Sequence, residues 1–108
     1  MRLVIIESPY AGDIERNQEY ARRAMADSLA RGEAPIASHL LYTQPGVLDD
    51  TVPAERAKGI HAGLAWGKHA AATIVYTNYG ITDGMLQGIL DAQNHGRPIE
   101  FRGIGENN

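Results

Sequence analysis

The chain contains no cysteine, one tryptophan and one phenylalanine among 108 residues. Without cysteine there is no disulfide and no thiolate metal site. No apolar run approaches the roughly 20 residues that a membrane-spanning helix requires, and no longer apolar core with a cleavage site stands at the N-terminus, which enters a strand directly. Lys and Arg number 10 against 13 Asp and Glu, a formal net charge of -3, and the basic residues are scattered. A surface that tracks nucleic-acid phosphates needs clustered positive charge, so nucleic acid is excluded as an expected partner. What remains is a soluble, cytoplasmic protein with no membrane partner. Its 44% hydrophobic and 21% charged residues suit one globular domain over residues 1–108 that buries about 60 to 70% of its unfolded surface.

Strand and helix signals alternate along the chain. Leu3-Val4-Ile5-Ile6 is apolar without polar alternation, as in a central parallel strand covered on both faces. Ser8-Pro9-Tyr10-Ala11-Gly12-Asp13 is loop chemistry, and Asp13 is placed to cap a helix from Ile14 to about Arg31, with Gly32 at its C-terminal end. Ile14, Ala21, Ala24, Met25, Ser28 and Leu29 share one face of that helix. A second strand falls in the first half of Pro35 to Tyr42. A second helix, capped by Asp50 or Thr51 and carrying Pro53 in its first turn, runs to about His69 with Ala57, Ile60, Leu64 and Ala65 as its stripe. Thr73 to Thr77 is the third strand. The third helix starts at Thr82 or Asp83, buries Met85, Ile89 and Ala92, and stops at Gly96 ahead of Pro98. Ile99 to Arg102 is a short last strand, and Gly103 to Asn108 reads as a loose tail.

This alternation predicts an α/β fold with a four-stranded parallel sheet, right-handed crossovers and the strand order 2-1-3-4. In that order the direction of winding reverses between strands one and three, and ligands of open α/β sheets bind in the crevice at such a point. The loops that line it are Glu7 to Asp13 and Thr77 to Gly84. Candidate ligand-binding residues are therefore Ser8, Pro9, Tyr10 and Gly12 from the first loop, and Asn78, Tyr79, Gly80, Thr82, Asp83, Gly84 and Met85 from the second. Tyrosine rings can stack on a planar ligand, and glycines let backbone N–H groups approach sugar or phosphate oxygens. The same residues also read as two surface turns whose tyrosines pack on their own helices. Gly80-Ile81-Thr82-Asp83-Gly84 lacks the glycine spacing of a dinucleotide fingerprint and follows the third strand, not the first, so a nicotinamide cofactor is disfavoured and no other cofactor is indicated.

Glu7, Asp13, Asp49, Asp50 and Asp83 gather near this edge. A carboxylate in a partly dry pocket acts as nucleophile or general base, yet Asp13, Asp50 and Asp83 also stand where helix caps belong. His39, His61, His69 and His95 share no spacing that pairs two on one helical face, so no metal site is expected. Arg56, beside Glu55 at the start of the second helix, reaches toward an anion or forms an ordinary solvated pair.

Taken in order, Ser8-Pro9-Tyr10, Pro35-Ile36-Ala37-Ser38-His39, Pro53-Ala54-Glu55-Arg56-Ala57-Lys58-Gly59 and Gly80-Ile81-Thr82-Asp83-Gly84-Met85 resemble the small phage and bacterial branch of the nucleoside 2-deoxyribosyltransferase-like superfamily. The resemblance extends through Gly96-Arg97-Pro98-Ile99-Glu100. It implies a flavodoxin-like or Rossmann-like three-layer arrangement, a nucleoside or nucleotide pocket at the crevice, and a homo-oligomer. Four strands and three helices leave some helix face uncovered, and the faces rich in Ala and Leu around Gly63 to Trp66 are candidates for burial against another copy. In those transferases the nucleophilic glutamate follows the glycine of the turn after the third strand by four residues. Counted from Gly84, that position is Gly88 here, and the neighbouring Gln87 cannot attack an anomeric carbon. The resemblance therefore implies a protein that binds a nucleotide or ADP-ribose-like molecule, sensing or sequestering it. Its alternative is an N-glycosidase or deoxyribosyltransferase with a relocated carboxylate, for which Glu7 and Asp83 are the catalytic candidates.

Overall fold

The computed structural model describes residues 1–105. Eight elements follow one another: β1 Arg2–Glu7, α1 Ile14–Ala30, β2 Glu33–Ile36, α2 Ser38–Leu41, α3 Pro53–Gly67, β3 Ala72–Tyr76, α4 Asp83–Asn94 and β4 Ile99–Arg102. The four strands form one all-parallel sheet in the order β2-β1-β3-β4, flanked by helices in a flavodoxin-like three-layer arrangement. Ile5 stands opposite Ile36 on one side and Thr73 on the other. Val75 stands opposite Phe101. β3 is buried at every position because strands flank it on both edges and helices lie over it.

Side chains alternate across the sheet. Val4, Ile6, Ala72, Ile74 and Tyr76 point to one face and meet Tyr20 and Ala24 of α1. On the opposite face Val75 packs with Met85 and Ile89 of α4. The first layer is edged by polar contacts: the Tyr76 hydroxyl donates to Asp27 Oδ2 at 2.7 Å, and Arg102 holds Glu33 at 2.6 Å with both side chains nearly buried.

Several boundaries differ from those the sequence suggests. α1 buries Asn17 and Tyr20 along with Ala21, Ala24 and Ser28, while Ile14 and Leu29 stay exposed. β2 begins two residues earlier, at Glu33, and ends at Ile36. The stretch from Ser38 to Leu41 is a helical turn, because Leu41 N–H returns to Ala37 O and Tyr42 N–H to Ser38 O. α3 has Val52 as its N-cap, with no side-chain cap. Asp50 is drawn away to Arg56 at 2.8 Å, and Thr51 bonds to Asp49. Its stripe is also different: Ala57 and Ala65 are exposed, Ile60 and Leu64 half-buried, and the positions that bury fully are Gly63 and Gly67. Helix α3 ends at Gly67, short of His69. The segment after β4 is tied down at its start, since Ile104 N–H donates to Asn78 Oδ1 at 2.8 Å and Asn78 Nδ2 donates to Ile104 O at 3.1 Å. The remainder of the expected tail, residues 106–108, lies outside the described residues.

Candidate functional site

A cavity of about 350 Å³ opens where β1 ends, roofed by α3 and α4. Its position follows from the topology: β1 and β3 send their connections to opposite faces, and the chain parts at their C-terminal ends. Glu7, Ser8, Tyr10 and Ala11 come to it from the end of β1, His39 and Tyr42 from around α2, Arg56 from α3, Thr82 to Met85 and Gly88 from the start of α4, and Arg97 from the approach to β4. A shallower groove shares Tyr10, Thr43, Leu48, Asp50 and Glu55 with it.

Glycine makes the room. Gly59, Gly63 and Gly67 fall on one face of α3, and Gly84 and Gly88 on one face of α4, at four-residue spacing. A Cβ at Gly63 would collide with the Ser38 side chain. At Gly67 it would lie 3.1 Å from Arg97 Nη2, and at Gly88 it would strike the Glu7 carboxylate. Each interior helical glycine costs about 1 kcal/mol relative to alanine. The return here is that polar side chains from the sheet and loops fit between sheet and helix, where an ordinary apolar stripe would exclude them.

Glu7 is half-buried and lines the cavity. Burial pushes its carboxyl up to about 8; the positive charge of Arg97 works against that rise and the Asp91 carboxylate adds to it. Arg97 is itself committed: Nε donates to Thr73 Oγ1 at 2.9 Å, Nη1 to Gly67 O at 2.9 Å and Nη2 to Asp91 Oδ2 at 2.8 Å. This guanidinium fastens α4 and the end of α3 to β3, and so fixes the cavity's inner wall. Next to Glu7, Ser8 Oγ and His39 Nε2 lie 2.6 Å apart. Burial alone holds the His39 imidazole down at about 4, so the ring is neutral at pH 7, and Nε2 accepts when the Ser8 hydroxyl donates.

The helix termini divide the expected capping roles. Asp13 caps α1, accepting from Arg16 N–H at 3.1 Å. At α4 the cap is Thr82, whose Oγ1 accepts from Met85 N–H at 3.3 Å, and Asp83 is the first helical residue. Asp83 is thereby left exposed at the cavity's edge.

Of the residues singled out in the sequence, the fold brings Glu7, Ser8, Tyr10, Thr82, Asp83, Gly84 and Met85 to the cavity lining. Pro9 is fully buried beside it. Gly12 stands exposed in the loop before α1 with φ of 100°, a conformation that favours glycine. Asn78, Tyr79 and Gly80 lie elsewhere. The Asn78 side chain joins Tyr20 to Ile104. The Tyr79 ring sits 4.6 Å from that of Tyr20 with the Arg16 guanidinium 4.2 Å above it, and Gly80 closes a turn onto Thr77 O. The residues that sequence reasoning passed over are His39 as a partner of Ser8, Arg97 as the brace, and the helical glycines. The last of these left a readable signal, since glycines repeated every fourth residue inside helices call for a close packing partner.

Among the described residues no group of three or more His, Cys, Asp or Glu is arranged to hold a metal ion, and no helix is long and apolar enough to cross a membrane. No curated protein and no solved structure matches the chain. Residues 2–102 match a family described as a domain of unknown function, DUF7768, and the chain belongs to that family.

Proposed function

We propose that this chain is a cytoplasmic protein that holds a nucleoside or nucleoside monophosphate in the cavity at the end of β1. The observation that carries the reading is the cavity itself, a concave site at the sheet's switch point that combines a tyrosine, a neutral Ser8–His39 pair, a partly dry carboxyl and the N-terminus of α4. Its volume of about 350 Å³ stands at the small end of the roughly 300–1,000 Å³ typical of ligand sites, so it suits one nucleoside. An ADP-ribose-like molecule would have to extend into the adjoining groove. Charge points the same way: Arg97 and Arg56 are paired with Asp91 and Asp50, while Glu55 and Asp83 stand in the same lining. That balance favours a ligand with little negative charge over a polyphosphate. The resemblance to the nucleoside 2-deoxyribosyltransferase-like superfamily agrees with this class of ligand. The expected homo-oligomer belongs to the same reading, supported by Trp66, which is 49% exposed with its indole N–H on the Tyr42 hydroxyl.

One observation favours a second reading, cleavage of the N-glycosidic bond. The Glu7 carboxylate abuts Gly88, the position that the resemblance pairs with the transferases' glutamate, so a carboxyl group reaches that region from the strand rather than the helix. Incubation with a panel of nucleosides and nucleotides, followed by mass spectrometry of bound and released material, separates the two. Binding alone returns intact ligand, and turnover returns free base. No retained ligand and no released base from any member of the panel would overturn both.

A further inference from the structure

We propose that Glu7 serves this cavity as a neutral carboxylic acid, a hydrogen-bond donor that selects ligands presenting an acceptor such as a ring nitrogen or carbonyl oxygen of a heteroaromatic base. The inference rests on the nucleoside reading for the class of ligand, but the state of Glu7 is argued from the protein alone.

Glu7 ends β1 on the sheet face that α3 and α4 cover, and its carboxyl group fills the space that a side chain at Gly88 would take. No hydrogen bond or ion pair to it is found among the described residues, whereas on the opposite side of the sheet Glu33 is tied to Arg102 and Asp27 to Tyr76 and Arg31. The cation whose field reaches it is Arg97, and that guanidinium already serves Thr73, Gly67 and Asp91. Asp91 brings a second negative charge to the same place. An ionised carboxylate there would have no protein donor, a second negative charge beside it and only part of its surface open to water, which is a costly arrangement. Protonation removes the charge, and it leaves an O–H directed into a space lined by residues that can hold a small molecule. That hydroxyl has no acceptor on the protein, and a ligand that enters the cavity and supplies one gains a hydrogen bond in a half-buried setting. The raised carboxyl, near 8 from burial, agrees with this state at neutral pH.

The other charged or titratable groups of the lining are Tyr10 after β1, His39 from α2, Tyr42 after α2, Asp50 ahead of α3, Glu55 and Arg56 from α3, Asp83 and Asp91 from α4, and Arg97 before β4. All are retained in a Glu7→Gln protein, so their titration appears equally in both proteins. Glutamine is neutral and keeps an N–H donor at every pH.

The test uses infrared difference spectra of wild type against Glu7→Gln, and calorimetric binding of adenosine, which changes charge at neither pH 6.5 nor pH 9.5. Wild type should show a protonated-carboxyl band at pH 6.5 that is absent from Glu7→Gln and vanishes as the pH rises through about 8. Adenosine should bind wild type on the order of tenfold more weakly at pH 9.5 than at pH 6.5. It should bind Glu7→Gln alike at both, and bind Glu7→Ala weakly at both. An ionised carboxylate band at pH 6.5 overturns the proposal, as does wild-type affinity that ignores pH or an undiminished Glu7→Ala affinity. A neutral Glu7 in a protein that takes no adenosine at either pH would instead overturn the nucleoside reading, and with it the ligand class named here.

Discussion

The Glu7 carboxylate and the α-carbon of Gly88 are in direct contact, so that any side chain at position 88 would occupy the space of the carboxyl group. The strand supplies the functional group and the helix supplies its absence. This makes two residues far apart in sequence a single unit, and the relationship has a measurable sign. Gly88→Ala should gain about 1 kcal/mol of helix propensity and lose about 1–3 kcal/mol to overpacking against Glu7, a net loss. In a Glu7→Ala background the overpacking disappears and the same substitution should stabilise. Chemical denaturation of the four proteins of this cycle gives the coupling; equal effects of Gly88→Ala in both backgrounds would refute the contact.

Stability should depend on pH from both sides of neutrality. Glu7 binds its proton more tightly folded, at about 8, than unfolded, near 4.5, so the folded state loses stability as pH rises across that window. His39 is held at about 4, below its ordinary 6.5, so stability falls as pH drops from 6.5 toward 4. Glu33 is held down to about 2 by its hydrogen bond to Arg102, and its contribution fades below about 4.5. Melting curves of wild type and Glu7→Gln should diverge above pH 5, with the variant the more stable at pH 9. Parallel curves would show that Glu7 is not strained by ionisation.

Arg102→Met should be among the more damaging substitutions away from the cavity. Arg102 and Glu33 have side chains 10% and 8% exposed and lie 2.6 Å apart, and removing one partner of such a pair costs about 3–5 kcal/mol. Arg2, 3.3 Å from the same carboxylate, and the Ser28 hydroxyl, 2.8 Å from it, cushion the loss toward the lower end. Urea denaturation measures it, and a change near zero would mean that the pair is screened by solvent.

Thr82→Ala should cost about 1 kcal/mol through the lost cap of α4, whereas Asp83→Ala should cost little, because no cap bond depends on it. The reverse ranking in melting temperature would reassign the start of this helix.

The sheet and its order were legible because β1 and β3 are apolar runs and two of the three long helices stop at a recognisable glycine, Gly32 after α1 and Gly96 after α4, both with positive φ. The turn after β2 was not legible: Ser38-His39-Leu40-Leu41 has the composition of a buried strand, and tertiary placement between β2 and α3 decided for a helix. Half of the candidate site followed from topology alone, since any residue just past the end of β1 faces the crevice, as Ser8 and Tyr10 do. The second loop misled in part. Asn78 and Tyr79 stand just past β3 but turn toward α1, where Tyr20 and Arg16 offer a ring, a hydroxyl and a guanidinium. Arg97 could not be found by spacing, because its partners Thr73, Gly67 and Asp91 lie on three different elements.

A titration of adenosine into isotope-labelled protein at pH 6.5, followed by backbone amide NMR shifts, shows whether the cavity at the end of β1 holds a nucleoside. A nucleoside in the cavity should move the amides of Glu7, Ser8, Tyr10 and Ala11, of His39 and of Thr82 to Gly88 together, while the Tyr20 and Tyr79 region stays in place. Shifts confined to Tyr79 and its neighbours, or none at saturating adenosine, would contradict the assignment of this cavity as the binding site.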